Sequence, residues 1–272
     1  MSKQNVNSNI FDIKQGLEHY IPSLLDLIEG DIRWTSLQKI LHSRFSEYAD
    51  RHDKGERFEL RLTIYSLTIS AAKGNNEHIQ FLSFIDNVFK RLTTCLTATE
   101  RNYIKTNISN LIEFDNKFLN YLGELCVLNC LVTSGLYKLD KTEFRLKSKG
   151  KGIDFRMVNI QNQNYFLVEV LNIELPDNKV INHSVLQEFL SRKFQDKLED
   201  TDKSGILDYT IIPVIWGGRD NVNNILKVKD FYEQTNFSMN RIQTPLVYML
   251  LKSGDRFFNK FGSILNCLTI DI

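Results

Sequence analysis

The sequence predicts an α/β protein: a helical region over residues 1–115, then a mixed β-sheet flanked by helices over residues 116–272. Three observations predict it. The first 115 residues hold a single proline, Pro22, and their apolar residues recur at spacings of three and four. After Gly135 the texture changes to short β-branched or aromatic runs bounded by glycine, asparagine or charged turns. A helical run, HSVLQEFLSRKFQDKLED, separates the third of these runs from the fourth, as in a sheet with helices packed on it.

Taken in order, IFDIKQGLEHYIPSLLDLIEG carries Ile10, Ile13, Leu17, Ile21, Leu24, Leu25 and Ile28 on one face, and predicts one helix stopped at Gly30. WTSLQKILHSRFSEYA predicts a second through Leu37, Ile40, Leu41 and Phe45. RFELRLTIYSLTISAA is rich in β-branched residues, but its neighbours favour helix there too. EHIQFLSFIDNVFKRLTTCL predicts a further helix, and a long run from RNYIK to LVTSG follows a cap at Thr97 or Thr99. The predicted strands are FRLKS, GIDFRMVNI, YFLVEVLN and YTIIPVIWGG. In the tail, VNNILKVKDFYEQT reads as helix, and PLVYMLLKS and SILNCLTIDI read as strands.

A chain of 272 residues can bury a substantial core, and 42% hydrophobic with 25% charged residues excludes wholesale disorder. The formal net charge of +1 excludes a strong global field, so an anionic partner must be met by a local patch. No apolar run is long enough to span a bilayer, and the N-terminus lacks the apolar stretch of a secretory signal. A cytoplasmic protein without a membrane partner is therefore expected. Four cysteines (Cys95, Cys126, Cys130 and Cys267) do not make a disulfide framework in a chain of this size. Cys126 and Cys130 lie one helical turn apart, with the spacing of small residues on a packed helix face.

The chemistry concentrates in a few carboxylates. Alternation in YFLVEVLN places Tyr165, Leu167, Glu169 and Leu171 on one face of an otherwise apolar strand. A buried carboxylate is costly unless paired, so Glu169 needs a cationic neighbour or a metal. Asp154 lies one hairpin earlier in GIDF, and Glu124 in the helix GELCVLNCLVTSG. Three carboxylates from separate elements make the oxygen-rich set that Mg²⁺ or Mn²⁺ prefers. Further on, Lys193 and Lys197 fall near the middle of the stripe formed by Leu186, Phe189, Leu190 and Phe194, at about 100° per residue. Lysines there point to something anionic on that face, Lys197 being the first choice and Lys193 the second. A basic run, FRLKSKGKGIDFR, offers Lys147, Lys149, Lys151 and Arg156 as phosphate contacts.

Glu124 opening a helix that ends at Ser134-Gly135-Leu136, Asp154 in GIDF and Glu169 in VEV together resemble the PD-(D/E)XK nuclease superfamily, over roughly residues 116–218. The resemblance implies a restriction-endonuclease-like mixed sheet and Mg²⁺- or Mn²⁺-dependent hydrolysis of phosphodiester bonds. It implies Asp154 and Glu169 as metal ligands with the Val170 carbonyl as a further one, and Glu124 on a second metal or its water. The nucleic acid would be DNA, and the helical region would serve target recognition or homodimerisation. Ile153 stands where the motif has proline, and Leu171 where it has lysine. Lysines displaced from that strand to the next helix are known in this superfamily, which gives Lys197 or Lys193 the missing role. Two other readings stay open: an inactive nuclease-fold protein that binds nucleic acid or protein, and a helical scaffold whose sheet is purely structural.

Overall fold

A computed structural model describes residues 12–28, 32–54, 63–113, 117–145, 152–174, 183–202, 209–218, 246–253 and 256–263. Helices dominate the first half, as the periodicity predicts. Asp12 caps α1 (Ile13–Tyr20) by accepting from the Lys14 and Gln15 N–H groups. The single helix expected from Ile10 to Gly30 is two, because α2 (Pro22–Ile28) begins afresh at Pro22. Proline has no N–H to continue the helix and restricts the residue before it, so Ile21 leaves helical geometry at φ −141°. Pro22 then occupies the first turn of α2, where the missing donor costs nothing.

The helices α3 (Trp34–Asp53), α4 (Ile64–Ala72) and α5 (Asn76–Cys95) follow. The β-branched segment therefore is helical over α4, started by a reciprocal pair of hydrogen bonds between Thr63 and Ser66. Thr97 and Glu100 make the equivalent pair ahead of α6 (Ala98–Glu113). The long run after that cap divides here too, into α6 and α7 (Phe118–Thr133). Glu124 accordingly lies inside α7, not at its start, where the helix dipole would have explained it.

Six strands form one mixed open sheet in the order β1 (Tyr137–Phe144), β2 (Ile153–Asn159), β3 (Tyr165–Glu174), β4 (Thr210–Gly218), β5 (Leu246–Ser253) and β6 (Arg256–Ser263). The β1–β2, β2–β3 and β5–β6 pairs are antiparallel, whereas β3–β4 and β4–β5 are parallel. Helix α8 (His183–Asp202) connects β3 to β4. Two strands differ from expectation. The first is YKLDKTEF rather than FRLKS; its charged residues suit a sheet edge, and a register shift between Leu139 and Lys141 sets Asp140 apart. The second is RFFNKFGS, which becomes a strand by pairing along β5. The expected helix VNNILKVKDFYEQT, and all of SILNCLTIDI except Ser263, lie outside the described residues.

One continuous core runs from Ile13 in α1 to Trp216 in β4. The boundary expected near residue 115 falls among the undescribed residues 114–116, with this core on both sides of it. Phe155, Met157, Val168, Val170, Ile212 and Val214 give the sheet an apolar face that joins the helices. At its margin the Trp216 indole N–H donates to Asn172 Oδ1 at 3.0 Å, and Asn172 Nδ2 donates to the Asn120 carbonyl at 3.2 Å. This knot fits only because residue 123 is glycine: a Cβ there would stand 2.0 Å from Asn172 Oδ1. Gly123→Ala is therefore expected to lower stability by about 1–3 kcal/mol through overpacking. An unchanged urea midpoint would contradict that packing. The opposite face of the sheet carries Glu169, Leu171, Ile211 and Ile215, all buried.

Candidate active site

The backbone pairing of β2 and β3 runs from Val158↔Tyr165 to Phe155↔Val168. One residue further on, side chains take over as acceptors. The Asp154 N–H donates to Glu169 Oε2 at 3.1 Å, and the Val170 N–H donates to Asp154 Oδ2 at 2.6 Å. Each carboxylate is thereby fixed by a backbone donor of the other strand, which favours two acids in a buried place. Asp154 is 7% exposed and Glu169 fully buried.

Lys197, from α8, reaches both. Its ammonium lies 2.6 Å from Glu169 Oε1 and 3.9 Å from Asp154 Oδ2. Leu171, two residues beyond Glu169, is buried and brings no charge. The cation that meets these two acids thus comes from the helix and not from the strand. Lys193 is not brought to the carboxylates: its side chain is exposed and its ammonium sits 5.7 Å from the centre of the Phe189 ring on the same helix. One turn of helix separates the two lysines, and only Lys197 points at the acids.

Glu124 approaches from α7. It is half-buried, and its Oε2 accepts from Asn107 Nδ2 at 2.8 Å. Burial and the Asp154 charge push its pKa well above the ordinary value, while the Asn107 hydrogen bond and the Lys197 charge oppose them. Burial likewise pushes Asp154 up to about 7, against the Lys197 charge and with that of Glu169. For Lys197, burial works against the ammonium, but the charges of Asp154 and Glu169 outweigh it and hold the pKa above normal. One lysine thus stands among three acids.

A fourth acid, Glu143 at the end of β1, escaped the sequence reading. Its charge raises the pKa of both Asp154 and Glu124. It adopts φ 47° and lies so close to Gly152 that a Cβ there would meet its Oε2 at 2.9 Å. An acid in an edge strand carries no sequence mark of such a position.

The expected phosphate contacts fare differently. Arg156 is committed within the fold: its guanidinium pairs with Asp140 and lies 4.6 Å from the Phe144 ring centre and 5.1 Å from that of Tyr165. The ion pair and the two rings orient its guanidinium, and 30% of the side chain stays exposed. Lys147, Lys149 and Lys151 lie outside the described residues. Burial pushes the Cys130 thiol up to about 12, so near neutral pH it is protonated and no reactive nucleophile.

The donor set suits a hard cation in part. Among the described residues no three His, Cys, Asp or Glu side chains stand close enough to cage a metal. Mg²⁺ commonly uses one or two carboxylates and completes its shell with waters and substrate phosphates, which Asp154 and Glu169 could satisfy. A proton on Asp154 competes with a cation there. Mn²⁺ affinity is therefore expected to fall as pH drops through about 7 and to level off above it. Calorimetry one pH unit either side tests this; equal affinities would remove Asp154 from the ligands. No helix among the described residues is long and apolar enough to cross a membrane. Comparison of the chain with protein-family models, curated proteins and solved structures found no match to any of them.

Proposed function

We propose that the chain is a metal-dependent nuclease of restriction-endonuclease-like fold that hydrolyses phosphodiester bonds in nucleic acid, DNA before RNA. The observation that carries this reading is the Lys197 ammonium lying within 2.6 and 3.9 Å of two carboxylates that the β2–β3 ladder holds at one point. The element order supports it: α7, three antiparallel strands, α8 and a parallel strand follow the order that the resemblance implies.

In this reading Asp154 and Glu169 bind the cation, and the Val170 N–H keeps Asp154 turned towards it. The Val170 carbonyl would complete the protein's share of the ligands. When bound, Mg²⁺ or Mn²⁺ lowers the pKa of water and offsets charge on the phosphate. Lys197 donates to a phosphate oxygen and stabilises the negative charge that develops in the transition state. To do so it must exchange part of its hold on Glu169 for the substrate. Glu124, with its raised pKa, is placed to hold a water and take up its proton.

A structural ion pair is the second reading, favoured by the same 2.6 Å contact. One lysine matches one carboxylate, however, and Asp154, pushed up to about 7, adds a second negative charge beside Glu169 once it ionises. The test is incubation of labelled DNA and RNA with Mg²⁺, with and without chelator, using the wild type and Glu169→Gln. Cleavage that chelator stops and the variant lacks is expected. A wild type that cuts neither polymer with Mg²⁺ or Mn²⁺ would leave the ion pair as the better account.

A further inference from the structure

We propose that Asn107, in the helical region, is a positioning residue for Glu124, so that the helices before residue 115 are part of the active site. The inference rests on the nuclease reading and adds a residue to it. Asn107 belongs to α6 and is 3% exposed. Polar side chains are seldom so buried without a defined partner. Its Nδ2 donates to Glu124 Oε2 at 2.8 Å, joining two helices across the boundary expected from the sequence. Its Oδ1 makes no hydrogen bond among the described residues.

That asymmetry matters for what Glu124 can do. Glu124 sits between Leu122 and Gly123 on one side and Leu125 and Cys126 on the other, all buried, and α7 offers it no charged neighbour of its own. A glutamate side chain has three rotatable bonds, and ordering them is costly without a fixed contact. The Asn107 N–H supplies that contact at Oε2 and leaves Oε1, which has no hydrogen bond among the described residues, for a cation or a water. Asn107 touches neither metal nor substrate in this arrangement and acts through Glu124 alone. Second contacts of this kind set how well a carboxylate binds metal.

The test is calorimetric Mn²⁺ binding to the full chain, wild type, Asn107→Ala, Glu124→Gln and the double variant, with thermal melts to verify folding. Asn107→Leu, close to asparagine in size, serves where alanine does not fold. Losing Asn107 is expected to weaken Mn²⁺ binding by roughly tenfold or more. The double variant should bind no more weakly than Glu124→Gln, since both changes remove one function. Unchanged affinity in a folded Asn107 variant, or losses that add in the double variant, would overturn the proposal while leaving the nuclease reading intact. A wild type that binds no Mn²⁺ overturns both.

Discussion

Lys197→Met is expected to lower stability at neutral pH by about 3–5 kcal/mol, because it strands two buried carboxylates without their cation. Glu169 is fully buried, and Lys197 is the charge within 2.6 Å of it. Methionine keeps most of the lysine stem, so packing changes little and the loss is chiefly electrostatic. Its pH dependence follows from linkage. Burial already holds Asp154 up to about 7 beside the ammonium, and loss of the Lys197 charge, which lowers it, raises it further above its unfolded value of about 4. An acid whose folded pKa is raised destabilises the fold increasingly as pH climbs from the unfolded to the folded pKa. The share of the deficit that Asp154 carries should therefore be small at pH values below about 7 and grow over the range above it. Urea unfolding at both ends of that range measures it, and equal deficits would contradict the assignment. Cleavage should fall by about 10²–10³ as a transition-state donor is lost.

Glu169→Ala is expected to act still more broadly. It removes the acceptor of the Asp154 N–H, the counter-charge of Lys197 and a fully buried side chain in one step. A loss of about 3–5 kcal/mol follows from the broken buried pair. Glu169→Gln should be milder, because the amide oxygen still accepts from Asp154, yet it removes the negative charge that a divalent cation needs. Both variants should lose metal-dependent cleavage to background, while only the alanine variant should unfold far earlier in urea. If glutamine preserves cleavage, Glu169 is a structural acid.

Much of this site was legible because its signals are local. Alternation along YFLVEVLN exposes Glu169 as an acid on an apolar strand, and GIDF places Asp154 one hairpin away. The phase of Lys197 on its helix answers the leucine at position 171, and the structure turns that lysine to the pair. Lys193 shares the phase but not the aim, since one turn away on the helix its side chain is exposed beside the Phe189 ring. The remaining features are non-local. Asn107 meets Glu124 only when α6 packs on α7. Arg156 looks like one more cation in a basic run until Asp140, set apart by the register shift in β1, and two neighbouring rings meet its guanidinium. Glu143 sits in an edge strand whose charges hide it from a search for buried alternation. Pro22 was visible and its consequence missed: the apolar spacing continues through it although the backbone cannot.

The most direct test of the central claim, that Asp154 and Glu169 form a metal site served by Lys197, is Mn²⁺ calorimetry on the folded wild type and on Glu169→Gln at a pH above the Asp154 midpoint of about 7. The account predicts saturable binding to the wild type and none to the variant. Absence of binding to the wild type, or equal binding to both, would contradict it and leave Lys197, Asp154 and Glu169 as a buried ion pair.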